Sequence, residues 1–144
     1  MRATERVSRR RLLLWSTPIV TGHLLVVIWH LVLLVQVQPA TPRFLPPVLI
    51  LANLLPVAGV VALAKGSPHL AATLVTVPLG TAFVIGAYAH FLSAGSDNVL
   101  HMPADELTLW FQVSAVLLVV LEAVGTGLGL QLFVLRLAKR APTV

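Results

Sequence analysis

Eight of the chain's ionisable side chains fall where they could do chemistry. They are His23, His30, His90, His101, Asp97, Asp105, Glu106 and Glu122. Imidazoles beside a carboxylate suit zinc or copper(II). Two histidines facing each other at one depth suit a b-type haem. A carboxylate paired with a histidine inside an apolar segment suits proton exchange. His30, His90 and His101, with Asp97, form the candidate metal or haem set. His23 and Glu122 form the candidate intramembrane pair or proton site.

Spacing supports these sets unequally. His23 and His30 are seven residues apart, which on a helix puts both rings on one face, about 10 Å apart in depth. The metal candidates come from separate segments, and no HxxxH pair presents two of them on one helix. No GxSxG motif marks a hydrolase. The chain has no cysteine, so disulfides, thiolate metal sites, iron–sulfur clusters and thiol redox chemistry are excluded. The expectation is a protein that is not an enzyme and holds no cofactor, with copper, zinc or haem b as the alternatives.

Composition says what must position these groups. Of 144 residues 58% are hydrophobic and 10% are charged, and the mean hydropathy is +0.94. A soluble domain carries about 25% charged residues. A chain this short cannot hide so much apolar surface in one core, so lipid must solvate most of it. The fold expected is all-α: a polytopic membrane protein with four transmembrane helices in an up-down bundle.

A span needs about 20 residues. Four stretches qualify, roughly 12–37, 44–64, 69–92 and 107–135. They are divided by QPATPR (38–43), by KGSP (65–68) and by a polar loop, 93–106. Basic tails, 1–11 and 136–144, flank them. SRRRLLL (8–14) resembles a twin-arginine export signal, but the apolar run behind it is much longer than a signal core and lacks an A-x-A site. It reads instead as an anchor for the first span.

The net charge of +5 rests on basic residues split between those two tails. Such a split reads as topology and argues against nucleic-acid binding. With both termini cytoplasmic, nine of the ten Lys and Arg lie inside and only Arg43 lies outside. The loop 93–106 then faces outward from what is expected to be a bacterial plasma membrane.

Within the spans, Glu122 is the costliest residue. A carboxylate at mid-bilayer costs about 3 kcal/mol on insertion scales, so it must be neutral or paired. On depth alone His23 is its expected partner. Gly125 and Gly129 make a GxxxG on the same face, and Gly80 lies in a stripe of small residues on the third span. All three are expected to let helices approach closely. Asn53 is expected to hydrogen-bond a neighbouring helix. Pro56 and Pro78 should bend their helices. Pro103, Asp105 and Glu106 are expected in the first turn of the fourth span, where acids complement the helix dipole. Gly95, Ser96, Asp97 and Asn98 read as a turn.

Four short-looped helices with small-residue faces and little extramembrane chain suit an accessory subunit of a larger membrane complex. Its expected partners are the lipid bilayer and other membrane subunits or a second copy of itself. The alternatives are a metal- or haem-binding protein with an outer histidine site, and a small proton-coupled transporter using Glu122.

Overall fold

The computed structural model describes residues 3–38, 45–95 and 98–140, with the side chains of 3–9, 45–48, 51 and 135–140 left aside. The described residues form four α-helices and no strand. They are α1 (Ala3–Val37), α2 (Leu45–Ala64), α3 (Pro68–Ala87) and α4 (Glu106–Arg140). A π-helical turn, Tyr88–Leu92, extends α3. Each helix packs on two others in cyclic order: α1 on α2, α2 on α3, α3 on α4, and α4 back on α1.

Three stretches are long and apolar enough to cross a membrane: Arg10–Val37, Pro68–Leu92 and Glu106–Val134. The apolar stretch of α2, Ala52–Ala64, is shorter than that measure. The basic segments expected as tails continue the helices instead. α1 begins at Ala3 and α4 runs to Arg140. Arginine, lysine and alanine are good helix formers, and neither segment holds a breaker before its helix ends.

The α2–α3 turn is set by Gly66, whose φ of 84° is open to glycine without steric cost. Gly66 N donates to Leu63 O at 3.0 Å and Ser67 N to Ala62 O at 2.8 Å. This is the paired bonding of a Schellman cap. Pro68 then opens α3, where its missing N–H costs nothing.

α4 begins at Glu106, so Pro103 and Asp105 precede its first turn instead of lying in it. Asp105 is its N-cap, outside the first turn: Thr108 N donates to Asp105 Oδ1 at 2.8 Å and Thr108 Oγ1 to Oδ2 at 3.0 Å. Pro103 stands two residues before the cap, and Glu106 is the first helical residue. The Thr108 bonds hold the Asp105 carboxyl below its ordinary value of 3.8. Because the folded value is the lower one, the cap stabilises fully above that ordinary value. Its contribution is lost as pH falls through the folded value. The thermal midpoint should therefore drop in acid, and Asp105→Ala should lower it at neutral pH and remove that part of the acid dependence.

The loop between α3 and α4 folds back onto the helix ends. Asn98, buried, donates from Nδ2 to Ser93 O at 2.6 Å, and its Oδ1 accepts from Leu100 N at 2.9 Å. Val99 N donates to His90 O at 2.9 Å, and Gln112 Nε2 donates to Val99 O at 2.8 Å. Val99 thereby enters an apolar cluster with Val27, Leu31, Leu34, Phe111 and Ala115. Asn98→Ala should cost about 1–3 kcal/mol locally. Faster amide exchange across 93–102, with the helices unaffected, is the expected readout. Ser96 and Asp97, half of the expected GSDN turn, lie outside the described residues.

Asn53 differs from expectation. Its Nδ2 donates to Leu49 O at 2.8 Å, one turn back in its own helix. A carbonyl four residues behind is always within reach, and bonding it needs no exact placement of a second helix.

Candidate functional site

The candidate residues sit where α1, α3 and α4 meet. α1 and α4 are antiparallel, so residues ascending α1 meet residues descending α4. His23 Nε2 lies 3.3 Å from Glu122 Oε1. Both side chains are buried, His23 completely. With a carboxylate as acceptor, Nε2–H is the donor. That leaves His23 Nδ1 and Glu122 Oε2 buried with no hydrogen-bond partner.

Two turns along α1 lies a second polar group. His30 Nδ1 is 2.8 Å from Ser114 Oγ, and Ser114 Oγ donates to Phe111 O at 2.7 Å. A hydroxyl has one hydrogen. Since Ser114 gives it to Phe111, it accepts from His30, so Nδ1 of His30 carries a proton. The His30 ring stacks on Phe111 with centroids 4.5 Å apart. It meets His90 edge to face at 5.0 Å. His90 sits in the π-helical turn, a local widening of the helix that re-aims its side chain.

The two groups adjoin across Gly86. A Cβ built on Gly86 would stand 3.5 Å from Glu122 Oε2 and 4.0 Å from His90 Cδ2. Gly86 thus lies between the carboxylate and the His90 ring, and a methyl group there would touch both at ordinary contact distance.

Glycines also set the α3–α4 distance. A Cβ on Gly129 would collide with Thr76 Oγ1, and would come within 3.0 Å of Thr76 N and 3.2 Å of its Cα. A Cβ on Gly125 would collide with the Leu79 side chain. Gly80 faces Thr126, its built Cβ 3.5 Å from Thr126 Cγ2. Thr126 Oγ1 donates to Glu122 O at 2.7 Å.

The remaining candidates lie apart from this axis. His101 is exposed in the loop, and Asp97 lies outside the described residues. Among the described residues no three His, Asp or Glu side chains are grouped to hold a metal ion. A porphyrin held by His30 and His90 would have to force apart rings that are now in contact. Trp29 and Trp110 meet at 5.9 Å beside the loop end. Thr73, in the small-residue stripe of α3, is exposed.

Ser16, Gly86 and Ser114 are the site residues that the spacing of histidines and acids did not single out. A signal for Ser16 exists: Ser16, His23 and His30 recur every seven residues on α1. Comparison of the chain with family models, curated proteins and solved structures finds no match.

Proposed function

We propose that this chain is an integral membrane protein whose four helices cross the bilayer as an up-down bundle. Both termini are cytoplasmic and the loop 93–106 faces outward, in a bacterial plasma membrane. Within that frame it serves as an accessory subunit, packed against larger proteins of a respiratory or other energy-converting complex. Nine of ten basic residues on one side support the orientation. The loop tied down by Asn98 and Val99 leaves little chain outside the helices for a soluble partner.

One observation carries the subunit reading. The outward face of α4 holds Ala123 and Gly127 between the exposed residues Val116, Val120, Val124 and Leu130. A Cβ on Gly127 would meet nothing within 4 Å. Gly125 and Gly129 are taken up by contacts inside the protein, whereas Gly127 stands open. A small-residue step in a lipid-facing helix is the surface on which another helix backbone approaches closely. The metal and transporter readings need a third ligand or a substrate path, and the subunit reading needs neither.

The test is the mass of the full-length tagged protein isolated in mild detergent. A defined stoichiometric complex that Gly127→Leu weakens is the expected result. A monomer, or a complex indifferent to Gly127→Leu, would refute the assignment.

A further inference from the structure

Four buried side-chain atoms have no hydrogen-bond partner among the described residues: Ser16 Oγ, Thr76 Oγ1, His23 Nδ1 and Glu122 Oε2. A buried polar group without a partner costs about 1–3 kcal/mol. Four scattered by chance would be an expensive accident. They are not scattered, because all four lie along the α1–α3–α4 junction. Ser16 is the one polar side chain bordering a small, partly open cavity lined also by Leu12, Gly59, Val75 and Gly129. Thr76 Oγ1 faces Gly129. Gly80 and Thr126 adjoin above them, and then come His23 with Glu122. Gly86 leads on to His90, His30 and Ser114. From Ser16 to His30 the axis rises about 21 Å, against a hydrocarbon core of roughly 30 Å.

We propose that this axis is a proton path, filled by water at its unpartnered atoms, with His23 and Glu122 as the relay at its middle. Polar groups that lack protein partners but border space are where buried water binds. Gly86 leaves room beside Glu122 Oε2, Gly80 and Gly129 bring α3 close to α4, and the Leu79 side chain packed against Gly125 must turn for water to reach His23. The activity is distinct from the subunit role and does not depend on it.

The relay balances as follows. A proton from water bonds to His23 Nδ1, giving an imidazolium. The Nε2–H bond then breaks and its proton passes to Glu122 Oε1, leaving a neutral ring and a neutral carboxyl group. Rotation of the neutral carboxyl about its Cγ–Cδ bond carries the Oε1–H to the Gly86 side, where the bond breaks toward water near the His90 ring. The carboxylate is restored and one proton has moved. Returning the His23 proton from Nδ1 to Nε2 resets the pair. His90 and His30 are the next titratable groups along the axis.

The purified full-length chain, reconstituted alone in vesicles that enclose a pH-sensitive dye, tests this directly. A potassium diffusion potential set with valinomycin supplies the driving force. The expected result is proton flux above that of empty vesicles, lost to background in Glu122→Gln. Gly86→Ala keeps every titratable group, and its Cβ fits at ordinary contact distance. It should reduce flux while retaining the wild-type thermal midpoint, so the loss cannot be assigned to misfolding. Val84→Ala, on an exposed residue, should conduct as wild type. Wild-type flux no greater than that of empty vesicles, or full flux in Glu122→Gln, would overturn the proposal.

Discussion

Glu122→Leu alone is expected to destabilise the protein by about 3 kcal/mol or more. The variant removes the Glu122 partner of His23 Nε2 on a ring that is completely buried. His23→Leu should be costly for the same reason, now stranding the carboxylate. The double variant His23→Leu/Glu122→Leu should recover most of the loss, because replacing a buried pair by apolar groups of similar volume is often neutral or stabilising. Unfolding of the three variants in one detergent gives the coupling energy directly. Additive losses would mean that the two residues do not act as a pair. A double variant that is stable but conducts no protons would separate the pair's use from its cost.

The second large effect is expected in the glycines of α4, and its order matters more than its size. Gly129→Ala should be the worst of three alanine substitutions, by about 1–3 kcal/mol. The new methyl would meet the Thr76 backbone, N at 3.0 Å and Cα at 3.2 Å, so α3 and α4 must move apart. Gly125→Ala meets the end of the Leu79 side chain, which can turn, although Leu79 is itself fully buried. An intermediate loss is expected there. Gly127→Ala meets open space and should be neutral or stabilising by up to about 1 kcal/mol, the helix-propensity difference. Thermal midpoints of the three side by side check the order. A Gly127→Ala loss equal to that of Gly129→Ala would show that contacts on the outward face of α4, not the α3–α4 distance, govern these positions.

These predictions rest on information of two kinds. Element type was legible along the chain, because lipid demands internal satisfaction of every backbone group and long apolar runs have one common solution, the helix. Gly66 and Pro68 marked their turn through conformations that only those residues favour. The seven-residue spacing of His23 and His30 put both on one helix face by arithmetic alone. Asp105 announced a helix start by its chemistry, although only geometry separated the cap from the first turn.

Side-chain partnership was less accessible. Asn53 could bond a neighbour or its own helix, and the sequence is the same in either case. Gly125, Gly127 and Gly129 look equivalent in a row, yet two are packed against α3 and one faces outward, because the rotation of α4 about its axis is set by all its contacts together. Ser114 became a partner of His30 only when antiparallel packing of α1 on α4 brought two residues 84 positions apart within 2.8 Å. Gly86 acquired meaning in the same way, from a carboxylate and an imidazole arriving on either side of it. Periodicity and residue chemistry act within a segment and can be read along it. Contacts between segments depend on helix rotation, depth and tilt, which only the simultaneous packing of α1, α3 and α4 decides.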